Sequence, residues 1–147
     1  MLLLDVNVLI YAHREDATVD HAGYARWLTG LAMGPEPFAL SVLALSGLVR
    51  ITTNPRIFKR PSTLEEVFAY AAELVRRPNA RIVGPGPEHL GIFERLCRAS
   101  GAAGKLVSDA QHAAVAIEHG CTLATTDSDF DRFPDLRWRH PLRGPAP

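Results

Sequence analysis

Asp5-Val6-Asn7 stands directly after the apolar run Leu2-Leu3-Leu4, and Thr125-Thr126-Asp127-Ser128-Asp129-Phe130-Asp131 stands directly after Cys121 to Ala124. A carboxylate that leaves an otherwise apolar strand must be hydrated, paired or bound to a cation. Asp109 adds an acid from a third stretch of chain. Brought together, Asp5, Asp109, Asp127 and Asp129 form an all-oxygen set without His or Cys. Such a set suits a hard cation, Mg²⁺ or Mn²⁺, rather than zinc. Without an ion the carboxylates repel one another and at least one pKa rises. With an ion, the cluster can activate water and neutralise charge on a phosphodiester.

Three of these positions also have a structural explanation, though capping does not need Asp5. Asn7 is a good helix N-cap, Asp109 behind Ser108 suits the dipole of a first helical turn, and Asp129 can cap a turn over Phe130 to Phe133. The alternating acids after Thr126 suggest a calcium loop, but the sixth and twelfth positions hold Arg132 and Trp138 instead of Gly and Glu. A haloacid dehalogenase-type phosphatase needs Asp-x-Asp near the N-terminus, where Asn7 replaces the second acid. Cys97 and Cys121 lack zinc or disulfide spacing and read as two buried thiols in a reducing compartment.

The acids converge only if the chain alternates strand and helix. Strands are expected at Leu2–Leu4, Phe38–Leu40, Arg81–Val83, Cys121–Thr125 and Leu136–Trp138. Helices are expected from Asn7 to His13, across Asp20–Met33 and Ser41–Thr52, from Ser62 or Thr63 to about Arg77, and across Glu88–Ser100. A last helix starts at a Ser108/Gln111 capping box and runs to His119. Gly34-Pro35-Glu36-Pro37, Thr53-Asn54-Pro55 and Gly84-Pro85-Gly86-Pro87 break the pattern. This order implies a parallel sheet covered on both faces, with sites beyond the carboxyl ends of its strands. Asp5 and Asp127 each close such a strand.

The 147 residues fit one domain over 1–142, with 143–147 as a disordered tail. Hydrophobic residues are 47% and charged residues 22%, an ordinary globular balance. The opening apolar run is too short for a signal peptide and no stretch is long enough to span a membrane, so the cytoplasm is expected. Formal net charge is zero, so any hold on nucleic acid must come from a local patch. Arg50, Arg56, Lys59 and Arg60 form one candidate patch, and Arg132, Arg137, Arg139 and Arg143 another. Arg50, at the end of an apolar helix, and Arg56 are the preferred phosphate contacts. Such groups position a phosphate backbone without reading bases.

Four segments, in order, resemble the PIN-domain family and specifically the VapC toxins of VapBC toxin–antitoxin systems. They are Leu4-Asp5-Val6-Asn7-Val8-Leu9, Ser46 to Arg56, Asp109-Ala110-Gln111-His112-Ala113-Ala114 and Thr126-Asp127-Ser128-Asp129-Phe130. The ending Arg137 to Leu142 is similar to one subgroup of these toxins. The resemblance implies an α/β/α sandwich around a central parallel sheet of four to five short strands. It also implies Mg²⁺- or Mn²⁺-dependent endoribonuclease activity leaving 5′-phosphate and 3′-hydroxyl ends, with transfer-RNA or ribosomal-RNA loops as substrates. The implied partners are a second copy in a homodimer and a VapB antitoxin, with operator DNA met only through the antitoxin. By position, Asp5, Asp109 and Asp127 are the acidic ligands and Asp129 a fourth, while Asn7 and Thr126 orient carboxylates or water.

Two departures stand out. The helix after the second strand usually carries another acid; here Val42 and Leu45 lie where it is expected, which leaves single-metal chemistry open. Lys105 occupies a place, four before Asp109, where close relatives often have Asn. The missing acid also motivates a second reading, a catalytically degenerate PIN domain that binds its antitoxin and supports operator regulation without cutting.

Overall fold

The computed structural model describes residues 1–144. Five short parallel strands lie in the order β3-β2-β1-β4-β5: β1 is Leu2–Leu4, β2 Phe38–Ser41, β3 Ala80–Val83, β4 Thr122–Ala124 and β5 Trp138–Arg139. The helices are α1 (Val6–His13), α2 (His21–Met33), α3 (Val42–Thr52), α4 (Leu64–Val75), α5 (His89–Ser100) and α6 (Lys105–Glu118). A short 3-10 turn, Ser128–Arg132, follows β4. Of the expected tail, residues 145–147 lie outside the described residues.

The strand register explains the two layers. Leu3, Ala39 and Leu123 are partners in one row across the sheet, and Leu4, Leu40 and Ala124 in the next. Successive side chains point to opposite faces of a strand. Leu4 and Leu40 therefore pack with Leu9, Leu28, Leu48, Val67 and Leu74 of α1 to α4. Leu3 and Leu123 pack with Leu96 of α5, Ala110, Ala113 and Ala114 of α6, and Phe130 and Phe133. This is an α/β/α sandwich. Because α6 meets the sheet mostly through alanines that are fully buried, it lies close against the strands. That closeness carries Asp109 to the sheet's carboxyl edge.

Local chemistry sets most boundaries. Of the two expected starts, Ser62 and Thr63, it is Thr63 that caps α4, through a reciprocal capping box with Glu66. Several boundaries shift by a residue or two, and four differences matter. Asp5, not Asn7, is the N-cap of α1, because its carboxylate already accepts from the Val6 N–H at 2.7 Å. Asp127, not Asp129, caps the 3-10 turn by accepting from the Asp129 N–H at 2.9 Å. The last β-strand is Trp138–Arg139 rather than Leu136–Trp138, since Leu123 and Ala124 pair with those two residues.

The fourth difference bears on the site. Helix α6 begins one turn early, at Lys105, so Ser108 caps nothing. Gly104, with φ of 58°, turns the chain into the helix there, in a conformation that side chains other than glycine's resist. Asp109 is consequently inside the helix, buried, rather than in its first turn. The dipole explanation for this acid falls away.

Leu48 is fully buried between α3 and the sheet. Leu48→Ala is expected to cost about 2–5 kcal/mol, lowering the melting temperature by roughly 2–4 °C per kcal/mol for a chain of this size. Calorimetric unfolding checks it.

Candidate active site

Asp5 follows β1, and Thr125 and Asp127 follow the neighbouring strand β4, so strand order alone places them at one edge. Helix α6 supplies Asp109 from one side and α3 supplies Arg50 from the other. Asp5, Asp109, Asp127 and Arg50 line a cleft of about 220 Å³ that also includes Asn7, Lys105, Ser108 and His112.

Thr125 organises its floor. The fully buried hydroxyl donates to Asp5 Oδ2 at 2.6 Å, and its oxygen accepts from Asn7 Nδ2 at 3.0 Å and from the Asp127 backbone N–H at 3.1 Å. Asn7 Nδ2 also donates to Asp5 Oδ2 at 2.9 Å. Asn7 Oδ1 accepts the Thr126 backbone N–H at 3.3 Å. Thr126 thus contributes its backbone, while the orienting hydroxyl is Thr125's. Its position directly after a buried strand is the signal in the sequence. A threonine at a strand end also has an ordinary packing explanation, which conceals this role.

The charges are set by burial and by one lysine. Asp5 is 5% exposed. Burial, reinforced by the nearby charge of Asp109, pushes its carboxyl above the ordinary range. Thr125, His112 and the Val6 N–H pull the other way and do not cancel it. Burial would also raise Asp127, but the hydrogen bond from Lys105 and the Asp129 N–H hold its carboxyl below the usual range. Lys105 Nζ donates to Asp127 Oδ2 at 2.7 Å and to Asp109 Oδ2 at 2.9 Å. Partial desolvation would lower the pKa of Lys105, yet these two carboxylates drive it upward.

The remaining expected residues divide. Asp129 is exposed and its side chain does not line the cleft. Arg50 lines it; Arg56 is exposed and does not, with its backbone N–H tied to Asn54 Oδ1. An adjoining groove shares Asn7, Ile10 and Ile51 with the cleft and carries Lys59 at its wall. Val42 and Leu45 lie outside the cleft, so α3 offers it a cation, Arg50, and no acid. His112, one turn beyond Asp109 on the same helix face, is a further cleft residue. An Asp-x-x-His spacing within a helix was the available clue. Cys121 is buried and Cys97 half-buried; both are free and neither lines the cleft.

The donor set is oxygen from three carboxylates, an amide and hydroxyls, which suits Mg²⁺ or Mn²⁺. The Lys105 ammonium stands between two of the carboxylates, so positive charge already sits among them. Among the described residues, no three acidic, His or Cys side chains are gathered closely enough to hold an ion without adjustment.

This combination of sandwich and acidic edge has known counterparts. The family model for the PIN domain matches residues 2–136. The chain is 40% identical over 144 residues to the VapC ribonuclease Mb2897 of Mycobacterium bovis, covering 98% of this chain and 97% of that protein. It is 38% identical over 141 residues to ribonuclease VapC25 of Mycobacterium tuberculosis, covering 96% and 99%. Its fold is similar to a chain of the VapBC2 structure from Rickettsia felis, solved with a promoter DNA fragment. That match has a TM-score of 0.67 and 20% identity, and covers 95% of this chain and 97% of the other. The protein belongs to the PIN-domain family, in its VapC-type ribonuclease branch. Among the described residues no helix is long and apolar enough to cross a membrane.

The raised Asp5 carboxyl has a consequence for stability. A group whose folded pKa lies above its unfolded value adds stability that is complete below the unfolded pKa and is lost as pH rises through the folded one. Asp5→Asn removes that loss. In metal-free buffer with chelator, the melting temperature of Asp5→Asn minus that of the unaltered protein is expected to grow as pH rises above about 4. A difference constant from pH 3 to 8 contradicts the assignment.

Proposed function

We propose that the protein is a metal-dependent endoribonuclease toxin of a toxin–antitoxin pair, hydrolysing phosphodiester bonds in exposed RNA loops of transfer or ribosomal RNA. The observation that supports this most is the meeting of Asp5, Asp109 and Asp127 in one cleft at the carboxyl edge of a parallel sheet. These three would hold Mg²⁺ or Mn²⁺. Asp129, at the rim, would act through bound water as an outer partner. When bound, the ion supplies Lewis acidity at the scissile phosphate and lowers the pKa of the attacking water.

The chain's own residues would then do the following. Thr125 and Asn7 fix the rotamer of Asp5 through two hydrogen bonds to its Oδ2 and a third between themselves, so the carboxylate needs no reorganisation when charge develops. The Thr126 N–H holds Asn7 in turn. Arg50 at the cleft wall would grip the RNA backbone. Lys59 along the adjoining groove and Arg56 beyond it would extend that hold to flanking phosphates. The absence of an acid on α3 favours one principal ion.

The family resemblance implies a VapB-type antitoxin and a second copy of the chain as partners, with operator DNA reached through the antitoxin, and the cytoplasm as the location. A second reading keeps those partners and drops the chemistry. The lack of a ready-made group of three ligands among the described residues, with Lys105 bridging two acids, favours it. One assay separates the two. Structured RNAs are incubated with the protein and with Asp5→Asn, in Mg²⁺ or Mn²⁺ and in chelator. Loss of several kcal/mol of charge stabilisation lowers the cleavage rate by about 10²–10³-fold in the variant. Equal rates in the two proteins, or cleavage that survives chelation, contradict the metal-dependent reading. No cleavage by either supports the second.

A further inference from the structure

Lys105 is the first residue of α6, and its side chain is 66% exposed. It nevertheless joins two elements that are distant in the chain: Nζ lies 2.9 Å from Asp109 Oδ2 and 2.7 Å from Asp127 Oδ2. Asp5 is engaged separately, through Val6, Asn7 and Thr125. The ammonium is therefore the cation that keeps Asp109 and Asp127 side by side. A divalent ion bound to those same two oxygens at about 2.0–2.1 Å would take the volume that the nitrogen holds. The two cannot be present together.

The partners are unequal in their freedom to leave. The Asp109 side chain is 13% exposed and is fixed on the inner face of α6. Lys105 has a flexible four-carbon stem that can carry its charge into water without breaking other contacts. Exposed ion pairs are weak, whereas a dication held by several carboxylates carries twice the charge and is screened less. The exchange is consequently favourable once metal is available, and unfavourable when it is scarce.

We propose that Lys105 is the resident counter-cation of the empty site, and that metal loading is an exchange in which its ammonium leaves Asp109 and Asp127 to the incoming ion. This rests on the metal-site reading above. Its consequence is that Lys105 lowers the affinity for divalent cations. In return it stabilises the metal-free protein, where the unscreened carboxylates would otherwise repel one another. The lysine makes occupancy of the site respond to the concentration of free divalent ion.

Calorimetric titration of Mn²⁺ into the metal-free protein and into Lys105→Met and Lys105→Gln, with no RNA present, tests the proposal. Both variants are expected to bind Mn²⁺ about tenfold more tightly, the effect of two weak ion pairs removed. Their melting temperatures in chelator should fall below that of the unaltered protein, and the gap should close at saturating Mn²⁺. If the unaltered protein binds Mn²⁺ and the variants bind it no more tightly, the exchange is overturned while the metal site stands. If none of the three binds Mn²⁺ at millimolar concentration, the metal site itself fails, and the exchange with it.

Discussion

Like charges gathered in a place where water cannot screen them fully are the constraint on which this molecule turns. Asp5, Asp109 and Asp127 come from two strand ends and a helix, and the sandwich brings them to a common cleft. Repulsion among them has to be met by something. Asp5 meets it through hydrogen bonds from Thr125, Asn7 and Val6 while retaining an upward-shifted pKa. Asp109 and Asp127 meet it through Lys105. A fold that accepts such strain at one edge must recover stability elsewhere, and here it does so through two apolar layers on opposite faces of the sheet.

The two layers also explain the cleft's geometry. The parallel register aligns Leu4 with Leu40 and Ala124, so β1 and β4 end level and release Asp5 and Thr125 side by side. Alanines on α6 let that helix lie close to the sheet, and the glycine-led start of α6 adds the turn that carries Lys105. A bulkier helix face would hold Asp109 farther from the strand ends. The packing and the site are thus one arrangement, in which small side chains set how near the acids come.

Much of this was legible from residue order. Alternating apolar runs and breakers give the sandwich, because strand and helix periodicities differ and proline and glycine punctuate them. Residues flanking the strand ends then point to Asp5 and Asp127. What was not legible depended on backbone detail. Ser108 and Gln111 look like a capping box, yet Gly104 permits an earlier start that no local pattern announces. Asn7 and Asp5 are comparable N-caps by preference, yet Asp5 takes the role because the chain turns into the helix sooner. Lys105 reads only as an unusual residue until α6 is placed against the loop after β4. The tie from residue 105 to residue 127 is a long-range contact, and spacing within one helix contains only its Asp109 half.

The central claim is that these carboxylates form a divalent-cation site. Anomalous diffraction from a crystal of the protein equilibrated with Mn²⁺ tests it most directly. The account requires a manganese peak within coordinating distance of Asp109 and Asp127 and close to Asp5, directly or through one water, with Lys105 Nζ displaced from between them. A map with no peak in this cleft, or with the ion bound elsewhere and the lysine still bridging the two acids, contradicts it.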